Sequence, residues 1–270
     1  MTAPATDLAS RHPAAGDPGL EIQDVAVHFG GIVAVDGLSL LAPVGAFTGL
    51  IGPNGAGKTT TFNVCSGLQS PTRGQVRWKG HDVTSAPTAS RAQLGMGRTF
   101  QHVELFDSMT VRENIALGRE LGLAGSRPLR HVLAAPGDHA GVDGAVHESI
   151  ELCGLQDVAD ERAAALPTGH RRLVELARAL AGSFELLLLD EPSAGLDAEE
   201  SRQFADILRT VRAERGTGML LVEHDVPLVL ALSDYIYVLD FGDLIFEGTP
   251  AQVRSSPEVR AAYLGTSADG

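Results

Sequence analysis

The chain has 270 residues, 44% of them hydrophobic but only 5% aromatic, enough for a core of Val, Leu, Ile and Ala of the kind that parallel sheets prefer. Its 34 acidic and 21 basic side chains give a net charge of -13, which repels a phosphate backbone and argues against DNA or RNA as a partner. Cys65 and Cys153 are the only cysteines, too few and too far apart for a disulfide framework or a CxxC centre, and they read as buried or half-buried thiols in a reducing compartment.

Residues 1–19 contain Pro4, Pro13 and Pro18 and no apolar run, so they read as a disordered tail rather than a signal peptide or membrane anchor. No later stretch approaches the roughly 18 consecutive apolar residues of a membrane helix, so any membrane role is expected to come through a partner. Short β-type runs at 22–29, 33–35 and 38–41, broken by Gly30-Gly31 and Gly37, suggest an antiparallel sheet edge. Residues 46–51 then form an apolar strand that runs into Gly52-Pro53-Asn54-Gly55-Ala56-Gly57, followed by helical spacing over 58–67.

Patterning from about 90 to 166 is helical, with a Gly, Ala and Pro-rich interruption at 122–144 that reads as a loop or loosely ordered insert. Helical character continues over 171–180, and Leu186-Leu187-Leu188-Leu189 reads as a strand buried on both faces. A helix at 198–215, a strand at 218–222, a helix at 226–232 and a strand at 235–239 alternate from there, a parallel α/β layout. Residues 243–247, a turn at Gly248-Thr249-Pro250 and a short helix through Tyr263 complete the chain. The expected class is α/β, with a mostly parallel core sheet, an antiparallel β edge and an inserted helical subdomain at about 90–170. One domain is expected over 20–265, with a short tail at 266–270.

The segment from Gly52 to Thr60 carries Gly-x-x-x-x-Gly-Lys-Thr as Gly52, Pro53, Asn54, Gly55, Ala56, Gly57, Lys58 and Thr59, with Thr60 following. Glycines let backbone N–H groups wrap phosphates, the lysine reaches the outer phosphates, and the threonine hydroxyl binds Mg2+. The N-terminus of the following helix favours an anion at the same place. The leucine strand ends in Asp190-Glu191, which reads as a magnesium-shell carboxylate followed by a general base or water-orienting group for attack on a γ-phosphate. No Asn-Lys-x-Asp guanine-reading motif is present, which disfavours GTP.

The order of these motifs across residues 20–264 resembles the ATPases of ABC transporters, a family of P-loop NTPases whose cofactors are ATP and Mg2+. The resemblance makes Gln101, in Arg98-Thr99-Phe100-Gln101, a metal and water ligand that senses the membrane subunit. It makes His224, in Glu223-His224-Asp225, the switch histidine at the γ-phosphate, and Phe29 the aromatic that stacks on adenine. Ser193-Ala194-Gly195-Leu196-Asp197 resembles the D-loop. Leu166-Pro167-Thr168-Gly169-His170 stands where the family usually carries Leu-Ser-Gly-Gly-Gln. In the family the signature crosses to the ATP of an opposing cassette, so Thr168, Gly169 and Asp197 are expected to act in trans. Pro167 lacks both hydroxyl and N–H, which predicts a weaker contact and a second reading: a regulatory cassette that binds ATP but hydrolyses it slowly.

The runs Phe29-Gly30-Gly31-Ile32-Val33-Ala34-Val35 and Gly95-Met96-Gly97-Arg98-Thr99-Phe100-Gln101, with Tyr263-Leu264-Gly265 at the end, are similar to branched-chain amino acid importer ATPases of the LivG-like type. Relatives of that group move urea, amides or other amino acids. The resemblance implies a dimer with a second cassette, LivF-like or a copy of itself, on two membrane permease subunits at the cytoplasmic face of the inner membrane, fed by a solute-binding protein. An ABC protein without a transport role is disfavoured, because the chain has neither a second cassette nor a long coiled-coil insert.

Overall fold

The computed structural model describes residues 12, 18–99, 105–124 and 136–264. Strand β1 (Leu20–Phe29) turns at Gly30-Gly31 and pairs antiparallel with β2 (Ile32–Ala42). Gly37 does not end β2; three register shifts along β1 absorb the irregularity. The chain next crosses the second sheet as β3 (Phe47–Ile51), enters helix α1 (Lys58–Ser66), and returns to the first sheet as β4 (Arg73–Trp78) and β5 (His81–Asp82). The sequence reading contained no strand at β4, where only Val76 and Trp78 are buried. Two buried residues are too short an alternation to stand out.

Helix α2 (Thr88–Gln93) leads to β6 (Met96–Arg98), then α3 (Val111–Ala124), α4 (Pro136–Leu152) and α5 (Thr168–Ala181). The alternation resumes with β7 (Leu186–Asp190), α6 (Ala198–Arg215), β8 (Gly218–Val222), α7 (Val226–Leu232), β9 (Tyr235–Asp240) and β10 (Asp243–Gly248), and closes with α8 (Pro250–Ser255) and α9 (Pro257–Leu264). Three differences from the sequence reading stand out. Within the stretch read as a loop or loosely ordered insert, residues 122–124 end α3 and residues 136–144 open α4; residues 125–135 lie outside the described set. A proline at the first helical position is compatible with a helix start, and Val146 and Ile150 are buried in the core formed with α5, so tertiary burial overrides the glycines' poor propensity. Met96–Arg98 belongs to the parallel sheet rather than the helical layer, a strand too short to show a period. The single C-terminal helix is two, separated at Ser256, because Pro257 cannot continue the hydrogen-bond ladder.

The second sheet runs β10-β9-β3-β8-β7-β6, parallel except for the β9–β10 hairpin. Side chains alternate across a strand. Leu186 and Leu188 join α1 and the antiparallel sheet in one core, while Leu187 and Leu189 join α3, α4, α5 and α6 in another. A third cluster, with Ile51, Ile236 and Val238, lies under α7, α8 and α9. Both cysteines are free and fully buried, and burial pushes each thiol up to about 12. Within the stretch read as a tail, His12 is buried against Tyr235 with ring centroids 5.0 Å apart. Desolvation there lowers its pKa to about 4, opposed by the charge of Asp234. Among the described residues no helix is long and apolar enough to cross a membrane.

Arg91 fixes the end of α1. Its guanidinium is buried and donates to the carbonyls of Val64 and Cys65, both at 2.7 Å, and to those of Val83, Thr84 and Ala86 at 2.8, 3.2 and 3.0 Å. Carbonyls at a helix C-terminus have no partner within the helix, and a cation there also opposes the dipole. Arg91→Leu should therefore cost about 3 kcal/mol or more, because several buried acceptors lose their donor together. Chemical denaturation would measure this, and a change under 1 kcal/mol would contradict the assignment.

Candidate functional site

The order of the parallel strands assembles the site. β3 lies between β9 and β8, with β7 beside β8, so the loops after β3, β7 and β8 emerge side by side at the carboxyl edge. Ligands in open α/β sheets bind at that edge. The loop after β3 is held by Gly57, whose φ of 95° is a conformation that side chains disfavour. A Cβ on Gly57 would also meet the Ala34 carbonyl oxygen of β2 at 2.5 Å. Gly242 in the β9–β10 turn donates to the Ala56 carbonyl at 3.2 Å and accepts from the Asp36 amide at 3.0 Å, tying the loop to both sheets.

Asn54, Gly55, Ala56, Gly57, Lys58, Thr59, Thr60, Glu191 and His224 line one cavity of about 430 Å³ with Ala34. The Lys58 ammonium bends back onto the loop and donates to the Gly52 carbonyl at 2.7 Å and the Pro53 carbonyl at 2.9 Å. Burial lowers its pKa, opposed by the carboxylates of Glu191 and Asp190. A cation resting on two carbonyls is available to move onto a more strongly charged acceptor.

Asp190 ends β7 paired with Val222 and is 1% exposed. Burial raises its pKa, against the pull of Arg98, whose Nη2 lies 3.9 Å from Asp190 Oδ2. Asp190 Oδ1 is buried and has no hydrogen-bond partner among the described residues, a cost of about 1–3 kcal/mol for a neutral acceptor and more for a charged one.

Glu191 has a φ of 47°, a left-handed backbone worth about 1–3 kcal/mol of strain that clusters at functional sites. Its amide donates to the Val222 carbonyl at 2.8 Å and its own carbonyl accepts from Ala194 at 3.1 Å, which hold the bend. The bend brings Glu191 Oε1 to 2.8 Å from His224 Nε2. An ionised carboxylate only accepts, so Nε2 carries the proton in that contact.

Phe29 ends β1 with half of its surface exposed and is not among the residues lining the cavity. Thr168 and Gly169 begin α5, with Thr168 exposed and Gly169 buried against the Glu200 carboxylate. A Cβ on Gly195 would sit 3.4 Å from the Thr168 methyl, so the D-loop-like and signature-like stretches adjoin each other, away from the cavity lining. The Asp197 carboxylate caps α6, accepting from Glu199 and Glu200 at 2.8 and 2.9 Å, while Glu200 returns a bond to the Asp197 amide. Gln101 lies outside the described residues.

Two residues given no role by the sequence reading belong to the surroundings of the site. Arg98 donates to Asn63 Oδ1 at 3.0 Å and Ser66 Oγ at 2.7 Å besides facing Asp190. Glu223, 2% exposed, stands between the β7 and β8 loops. The available signal for Glu223 was an ionisable residue continuing the all-apolar strand β8.

A family model described as "ABC transporter" matches residues 35–194, and one described as "Branched-chain amino acid ATP-binding cassette transporter" matches residues 244–269. The chain is 37% identical to the high-affinity branched-chain amino acid transport ATP-binding protein LivG of Escherichia coli K12, over 92% of this chain and 98% of LivG. It is 36% identical to BraF of Pseudomonas aeruginosa, also named as a high-affinity branched-chain amino acid transport ATP-binding protein, again over 92% and 98%. The crystal structure of the ADP conformation of MJ1267, an ATP-binding cassette of an ABC transporter, superimposes with a TM-score of 0.80 at 31% identity, over 92% of this chain and 98% of that one. With the phosphate-loop cavity and these similarities taken together, the chain belongs to the ABC transporter family, as one of its ATP-binding, ATP-hydrolysing cassettes.

Proposed function

We propose that this cassette drives import of branched-chain amino acids by closing with a second cassette on two Mg-ATP, the closure moving two membrane permease subunits at the cytoplasmic face. The convergence of Lys58, Glu191 and His224 on one phosphate-loop cavity carries the chemical part of this reading. The similarity to LivG and BraF and the match over 244–269 support the cargo.

Backbone N–H groups within residues 54–60 wrap the phosphates, and Lys58 leaves the Gly52 and Pro53 carbonyls to meet the outer ones. Phe29 stacks on the base. Mg2+ fits the donors present: the buried, unpartnered Oδ1 of Asp190 and the exposed Thr59 at the cavity, with Gln101 as a further ligand. When bound, the ion would supply neutralisation of the phosphate charge. Glu191 takes the proton of the attacking water, and His224 fixes the direction of that carboxylate and lies ready for the γ-phosphate.

Thr168, Gly169 and Asp197 are absent from the lining of this chain's own cavity, which favours their use on the nucleotide of a second cassette, LivF-like or identical. A slowly hydrolysing regulatory cassette is favoured by one observation: Pro167 caps α5 with no side-chain bond to the helix, leaving Thr168 as the one hydroxyl of the signature stretch. Reconstitution of the chain with its permeases and partner cassette should give ATP-dependent uptake of leucine, isoleucine and valine into proteoliposomes. Uptake of urea or a short amide in their place would overturn the cargo, and uptake supported by the partner's site alone would favour the regulatory reading.

A further inference from the structure

Glu223 is the group that joins the two loops carrying the proposed water-directing pair. β7 and β8 are paired up to Asp190 and Val222, and the Glu191 amide still reaches the Val222 carbonyl. Beyond that point the backbones diverge, because Glu191 turns into the left-handed region and cannot continue the ladder. The Glu223 carboxylate fills the gap. Its Oε1 accepts from the Ser193 amide at 2.8 Å, and its Oε2 accepts from the His224 amide at 3.2 Å. It is 2% exposed, where a carboxylate persists only with its acceptors satisfied. Burial raises its pKa, opposed first by the bond from Ser193.

Ser193 opens the D-loop-like stretch, and Arg172 of α5 donates to the Ala194 carbonyl in that same stretch at 3.3 Å. One carboxylate therefore sets the positions of His224 and of a loop linked to the signature helix. We propose that Glu223 is a positioning residue for hydrolysis, which holds the loop after β7 and the loop after β8 in the register that lets His224 meet Glu191. This rests on the reading of Glu191 and His224 given above. A glutamine keeps the shape but presents an N–H2 to some of the donors around the carboxylate, which include the Ser193, His224 and Asp225 amides, so it satisfies some of these bonds and opposes the others.

The test uses the full chain assembled with its partner cassette and permeases, in excess over γ-labelled Mg-ATP and well above the Kd, so that a single turnover of hydrolysis is read. Glu223→Ala should slow hydrolysis about thirtyfold or more while the Kd for ATP stays within about twofold, with Glu223→Gln intermediate. If Glu223 acts through His224, the pair Glu223→Ala/His224→Ala should be no more than about twofold slower than His224→Ala alone, since residues serving one unit are non-additive. Thermal melts of each variant identify loss of fold, and Glu223→Gln retains volume if Glu223→Ala does not fold. Hydrolysis at the parent rate in a folded Glu223→Ala or Glu223→Gln chain, losses that multiply in the double variant, or an effect on Kd alone would each overturn the proposal. Parent-rate hydrolysis by Glu191→Gln in the same assay would instead overturn the water-directing assignment on which it rests.

Discussion

Glu191→Gln should bind Mg-ATP as the parent does and hydrolyse it about a hundred- to ten-thousandfold more slowly, the range supplied by a positioned general base. Glutamine is isosteric, so it keeps the packing around a residue whose backbone already sits at a φ of 47°. It can still meet His224 Nε2, now 2.8 Å from Oε1. What it cannot do is accept the proton of the attacking water. The loss should therefore fall on kcat, with nucleotide affinity within about twofold, the pattern of an interaction made in the transition state. Equilibrium binding and single-turnover chemistry on the same preparation separate the two quantities. A parent-like kcat, or a loss confined to KM, would remove Glu191 from the role.

Lys58→Ala should act at the opposite step and weaken ATP binding by about 3–5 kcal/mol, roughly a hundred- to several-thousandfold, from the loss of charge-assisted bonds to two phosphates. The side chain now rests on the Gly52 and Pro53 carbonyls, so truncation also loosens the loop that wraps the phosphates. Lys58→Met keeps most of the aliphatic stem and isolates the charge. Calorimetric titration with ATP should give a similarly large loss for both variants, while melts without nucleotide should fall further for Lys58→Ala. Affinity within threefold of the parent for Lys58→Met would exclude the ammonium as the phosphate ligand.

Much of this site was legible in one dimension because its parts are local. A phosphate loop needs its glycines, lysine and threonine within eight residues, since consecutive backbone amides do the binding. Asp190 and Glu191 were legible because a leucine run delivers them, and the same run fixed a buried strand. The β4 and β6 strands were not legible, because two or three residues carry no period. The helix through 136–144 was hidden by its glycines, and burial of Val146 and Ile150 against the neighbouring helices outweighs that local preference.

By itself the sequence determined the chemistry available: a glycine-rich loop of phosphate-binding type, two strand-end carboxylates and a histidine after the next strand. Only the tertiary structure decided how they meet. The order of β3, β8 and β7 brings residues 58, 191 and 224 to one edge, and the left-handed turn at Glu191 aims its carboxylate at His224. Contact between residues 33 positions apart depends on strand pairing, which no local pattern encodes. For the same reason Glu223, whose partner amide belongs to Ser193, emerged only from the folded chain.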